Sequence, residues 1–83
     1  MVAAGTIRYW AGARAAAGVH EEAFEGDTLG AVLDAAASAH GDALARVFTV
    51  ATFLLDGNRS GRDAALADGV TIEVLPPFAG GSR

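Results

Sequence analysis

The chain has no cysteine and no lysine, and only two prolines and one methionine among 83 residues. Without cysteine, disulfides, thiolate metal sites and a cysteine nucleophile are excluded. Without lysine, only the N-terminal amine could accept an isopeptide-like modification. Positive charge is scarce in general: six arginines face ten acidic residues, for a formal charge of −4. Nucleic-acid binding needs a basic face, so that class is disfavoured. The acidic balance suits a partner with a basic docking surface, or serves only to keep the protein soluble. No apolar run is long enough to span a membrane, and no basic-then-apolar N-terminal stretch resembles a signal peptide. The expectation is a cytoplasmic protein.

What is present is globular: 52% of residues are apolar and 19% charged. The length fits one domain, and a chain of this size buries only about 60% of the surface its unfolded form exposes. One modest core is expected, with no room for a deep cavity between domains.

Thr6 to Trp10 alternates, with Ile7 and Tyr9 on one face and Arg8 on the other, as in a half-buried strand. Ala11 to Ala17 predicts one or two helical turns closed by Gly18. Val19 to Glu25 is a weaker strand with Phe24 inward, ended by Gly26-Asp27. The clearest helix follows. Thr28 is its N-cap, Leu29, Val32, Leu33, Ala36 and His40 recur at helical spacing, and Gly41 stops it. Asp42 to Thr49 fits either a short helix or a packed loop carrying Leu44, Val47 and Phe48. Val50 to Leu55 reads as a buried strand, and Asp56-Gly57 as a tight turn. Asn58 to Arg62 reads as exposed and polar, and Ala64 to Ala67 as a short helical turn with Leu66 inward. Asp68-Gly69 marks a second turn, and Val70 to Leu75 alternates as the final strand. The sum is an α+β roll of about four to five strands with one main helix on one sheet face. The first and last strands are expected side by side, in parallel, at the sheet centre. Residues 1–75 form the domain and 76–83 a flexible tail.

That tail reads Pro76-Pro77-Phe78-Ala79-Gly80-Gly81-Ser82-Arg83. Two prolines remove two donors and favour an extended path, and two glycines remove the side chains at the far end. Fully extended, Pro76 to Gly81 reaches roughly 20 Å at about 3.3 Å per residue. Phe78 would fill a pocket on a partner. Gly-Gly near a terminus is also common in tails that do nothing.

Three stretches in order carry a resemblance: Ile7 to Arg14, Asp27 to Leu33, and Asp68 to Gly81. Together they resemble the ubiquitin-like sulfur carriers of MoaD/ThiS type, and within them the small-subunit branch of molybdopterin synthase. The closing run is the specific part. The resemblance implies a β-grasp fold and a non-catalytic carrier. It further implies that an E1-like adenylating enzyme, using ATP and magnesium, activates the Gly81 carboxylate. Sulfur then displaces AMP and leaves a thiocarboxylate. Pro77, Phe78, Ala79 and Gly80 would insert with it into a sulfur-accepting enzyme, such as the molybdopterin synthase large subunit. No bound cofactor or metal and no catalytic side chain are implied for the carrier itself. One departure stands out. Mature carriers end in glycine, whereas Ser82-Arg83 follows here. The resemblance then implies trimming, by a zinc metalloprotease in some bacterial carriers, unless the two residues are an appended extra.

Other chemistry-bearing residues read as structural. His20 and His40 lack the further ligands a zinc site needs. Glu21, Glu22 and Glu25 fit a solvated strand or turn better than a paired acid and base. Gly57, Gly61 and Arg62 do not form a phosphate loop. Tyr9 and Trp10 fit core and sheet-face aromatics, since the basic partners of a nucleic-acid platform are absent. Arg59 and Arg62 are exposed loop arginines able to touch a partner near the tail. Three alternatives to the molybdopterin carrier stay open. They are a carrier for cysteine, thiamine or a sulfur-containing natural product, a protein modifier conjugated through Gly81, and an interaction domain with an inert tail.

Overall fold

A computed structural model describes residues 2–77. Five strands and three helices follow in the order β1 (Ala3–Tyr9), α1 (Ala11–Ala17), β2 (Glu21–Gly26), α2 (Leu29–His40), α3 (Asp42–Phe48), β3 (Thr52–Leu55), β4 (Asn58–Ser60) and β5 (Thr71–Leu75). All five strands form one sheet, ordered β2-β1-β5-β3-β4. β5 lies at its centre, parallel to β1 and antiparallel to β3. The expected central pairing of first and last strands is therefore present.

Alternation along the strands decides which face is covered. Ile7, Tyr9, Phe24, Phe53, Ile72 and Val74 point into the core. There they meet Leu29, Val32, Leu33 and Ala36 of α2, the residues picked out by helical spacing. α1 adds Ala13 and Ala17, and α3 adds Leu44 and Phe48 to the same core. Phe48 meets Phe53 edge-on, with ring centroids 5.9 Å apart. The segment 42–49, ambiguous in sequence, is thus a helix with two buried anchors.

The start of α2 leaves backbone N–H groups with no partner inside the helix. Thr28 Oγ1 accepts from Ala31 N at 3.2 Å, while Ala64 and Arg62 carbonyls accept from Leu29 N and Gly30 N at 3.0 and 2.7 Å. Ala65 bridges to Thr28, and Leu66 N donates to the Asp27 carbonyl. This explains one correction. Ala64–Ala67 forms no helix, because its backbone is spent on α2's first turn. Leu66 still packs against the core as expected. Replacing Thr28 with Ala should lower stability by about 1 kcal/mol, read as a shift in the urea midpoint. No shift would mean that the Arg62 and Ala64 carbonyls alone satisfy the helix end.

Two further corrections concern strands. Asn58–Ser60, expected as an exposed polar loop, pairs with β3 as an edge strand. Asp56 and Gly57, with φ of 48° and 85°, make the hairpin turn that sends it back. The strand expected from Val50 begins only at Thr52. Val50 and Ala51 still donate to the Val47 carbonyl, and Val50 is 62% exposed.

Candidate functional site

Because β1 and β5 run in parallel, both leave the sheet at the same end. There the chain after β1 turns into α1 at Trp10, and the chain after β5 passes into Pro76 and Pro77. β5 is held on both sides up to this point. Thr6 N and Trp10 N donate to the carbonyls of Val70 and Val74 at 3.1 and 3.2 Å. On the other side Asp56 closes a double link with Thr71: its N–H donates to the Thr71 carbonyl, and its carboxylate accepts from Thr71 N, both at 2.9 Å. Pro76 has no N–H to continue the ladder. Pro77 is exposed at the last described position. Phe78, Ala79, Gly80 and Gly81, the other residues assigned to the tail, lie outside the described residues.

The root of the tail is dressed by side chains on the outer sheet face. Trp10 is half-buried, and its indole N–H donates to Glu73 at 3.2 Å. The Arg8 and Arg14 guanidinium carbons lie 5.9 and 5.6 Å from the indole centroid, within cation–π range. Strand register places Glu21, Arg8, Glu73, Leu54 and Arg59 in one row across the whole sheet. Arg8 pairs with Glu21 at 3.0 Å, a surface pair of about half-exposed groups and so of small worth. Tyr9 is a core aromatic and Trp10 a sheet-face one, as the sequence suggested. The Trp10–Glu73 link is not legible in the sequence, since its partners lie 63 positions apart. The only sequence signal is the period-2 placement of both residues on outward positions.

The second polar cluster sits on the core side. Glu22 accepts from the Tyr9 hydroxyl at 2.7 Å, and His40 Nε2 lies 2.6 Å from the same oxygen. Tyr9 meets the His40 ring edge-on at 6.2 Å. Arg62 is an exposed loop arginine as expected, and it also donates to the Gly30 carbonyl at 3.3 Å and to Asp34 at 2.5 Å. Among the described residues no group of three or more His, Asp or Glu is placed to hold a metal.

Burial raises the Tyr9 phenol above its ordinary range, reinforced by the hydrogen bond to Glu22 and by that carboxylate's charge. Tyr9 therefore stays a neutral donor near neutrality. Its folded form holds the proton more tightly than the unfolded chain does. The resulting stability is complete below the ordinary phenol value of about 10 and is lost as pH rises beyond it. Urea midpoints should accordingly be insensitive to this group up to about pH 9 and fall above about pH 10, with Tyr9→Phe removing the extra alkaline loss. An identical alkaline profile in Tyr9→Phe would contradict this assignment.

A five-stranded mixed sheet, crossed on one face by a helix and with its first and last strands parallel at the centre, is the β-grasp of ubiquitin-like proteins. The chain belongs to the ThiS family, whose model matches residues 7–81. Among solved structures, the SAMP1 protein of Haloferax volcanii is 27% identical, with a TM-score of 0.81 over 94% of this chain and 99% of that one. Small archaeal modifier protein 1 of Methanosarcina acetivorans is 23% identical, with a TM-score of 0.79 over 98% and 99%. A putative molybdopterin converting factor subunit 1 of Pyrococcus furiosus is 21% identical, with a TM-score of 0.75 over 90% and 98%. The last two likenesses speak to the fold alone. No curated protein matches the chain. Among the described residues no helix is long and apolar enough to cross a membrane.

Proposed function

We propose that the protein is a sulfur carrier whose Gly81 carboxylate, freed by removal of Ser82-Arg83, is adenylated by an E1-like enzyme and converted to a thiocarboxylate. The observation that carries this reading is the central strand β5, locked by β1 and β3 until Leu75 and released directly into two prolines. A fixed root followed by a stiff spacer lets residues 78–81 reach an enclosed site while the domain stays outside. Membership of the ThiS family supports the same reading. The acceptor is proposed as the large subunit of molybdopterin synthase, on the Pro76-Pro77-Phe78 run before the glycines. ATP, magnesium and the groups that stabilise the developing charge belong to the partner. The protein itself supplies the carboxylate, the reach and the docking surface. Its location is proposed as cytoplasmic, where ATP-dependent activation takes place.

A second reading is a protein modifier joined through Gly81 to lysines of targets. It is favoured by the 27% identity to SAMP1 over nearly all of both chains. Both readings begin with the same adenylate and part at the nucleophile, sulfide or amine. The chain ending at Gly81, given a matching activating enzyme, ATP, a sulfide source and cell extract, separates them. A gel carrying an organomercurial retards thiocarboxylated protein, because sulfur binds the soft metal. A retarded band with no ladder is expected. A ladder of heavier conjugates without retardation would overturn the carrier reading in favour of the modifier.

A further inference from the structure

β2 is an edge strand, and among the described residues its only partner is β1. The Tyr9 N–H donates to the His20 carbonyl at 2.9 Å, which fixes the hydrogen-bond parity of that ladder. Within this register Glu22 and Phe24 turn their N–H and C=O groups towards β1, while those of Glu21, Ala23 and Glu25 point outward. Among the described residues nothing pairs with them. An uncovered row of donors and acceptors is a template for another strand.

Beside this edge, between β2 and α2, lies a cavity of about 220 Å³. Its apolar wall is made by Phe24, Val32, Ala35, Ala36 and Ala39. Alanine on the α2 face leaves room for side chains from outside. Among the described residues the only charged ones lining it are Glu22 and Glu25. Glu22 is engaged by Tyr9 and His40, whereas Glu25 has no ion-pair partner among the described residues. Glu25 shares the outward face of β2 with Glu21.

We infer that the free edge of β2 and the groove beside α2 form a strand-addition site for an extended segment of a partner protein, apolar on one face and basic on the other. The added strand completes the backbone pairing of Ala23 and Glu25. Its alternate side chains drop over Ala35 and Ala39, and its intervening lysines or arginines lie against Glu25 and Glu21. Charge decides the occupant. A second copy pairing antiparallel would set Glu21 and Glu25 of each chain against one another, and both chains carry a formal charge of −4. β2 is two strands from β5, on the order of 10 Å away, so the site stays open while the tail is engaged elsewhere.

The test titrates the full chain, followed by amide NMR, with a short blocked peptide alternating valine and lysine. A peptide alternating valine and glutamate serves as control. Shifts at Ala23, Glu25, Ala35 and Ala39 are expected, with slowed hydrogen exchange at Ala23 and Glu25. The lysine peptide should bind at least about tenfold more tightly than the control. Ala35→Arg, which narrows the groove from an exposed helical position, and Glu25→Gln, which removes the free charge, should each weaken binding severalfold. Shifts confined to the outer face around Arg8 and Leu54, equal binding of the two peptides, or no protection at Ala23 and Glu25 would overturn the proposal. Sedimentation showing a dimer of the peptide-free chain that the lysine peptide does not dissociate would do so too. Changes at Ala23 and Glu25 on shortening the chain to Gly81 would assign the edge to the chain's own terminus instead.

Discussion

Gly5→Ala should be the most damaging small substitution in the domain, lowering stability by about 2–4 kcal/mol. A Cβ built on Gly5 would lie 2.3 Å from the Val70 carbonyl oxygen and 2.9 Å from two ring atoms of Phe24. The ring, only 8% exposed in the core, has little space to yield. The carbonyl is harder still to move, since it accepts the Thr6 N–H. Its chain is tied again just upstream, where Ala4 N donates to Asp68 at 2.9 Å and Gly69 N donates to the Ala4 carbonyl at 2.8 Å. Relief therefore means breaking part of the β1–β5 pairing on which the tail's root depends. Total stabilities of domains this size run to about 4–12 kcal/mol, so the loss is a large share. Gly12→Ala is the control. An added Cβ there meets nothing within 4 Å, and the position is inside α1. That change should stabilise by about 0.5–1 kcal/mol. Urea titrations of both variants decide it, and an unchanged midpoint in Gly5→Ala would show that the strands part more easily than described.

Activation should be all or none with chain length. In the full chain Gly81 is joined to Ser82 by an amide. An amide oxygen is neutral and weakly nucleophilic, and its attack on the α-phosphorus of ATP would leave an imidate still bonded to Ser82. A terminal carboxylate carries a full charge, and its attack expels pyrophosphate and leaves the acyl adenylate. Isotope exchange between ATP and pyrophosphate reports adenylation alone, with no need for sulfide. Exchange dependent on the carrier should appear with the chain ending at Gly81. With the full chain it should fall below detection, a loss of at least about a thousandfold. Exchange of similar rate with both would place the activated group somewhere other than Gly81.

The parts of this fold that could be read from sequence are those with strict periodicity or turn chemistry. β1, α2 and β5 each bury one face, so Ile7 and Tyr9, Leu29 to Ala36, and Ile72 and Val74 announce themselves. Asp56-Gly57 announces the hairpin, but its second strand carries no signal, because Asn58-Arg59-Ser60 is an edge with no apolar alternation. Ala64–Ala67 shows the opposite conflict. Its alanines favour helix locally, but tertiary pairing with α2's first turn outweighs that weak preference. Around the tail, Pro76 and Pro77 were legible as the end of the sheet. The Trp10–Glu73 link and the Tyr9–Glu22–His40 cluster were not, for each joins distant segments that only the topology brings together.

Intact mass spectrometry tests the central claim most directly. The full chain and the chain ending at Gly81 are each incubated with a matching activating enzyme, ATP and a sulfide source, and the products are fragmented. The chain ending at Gly81 should gain the mass of one sulfur in place of one oxygen, located at its terminal residue, and the full chain should not change. A thiocarboxylate on the untrimmed chain, or none on either form with an enzyme proven active on another carrier, would contradict the account.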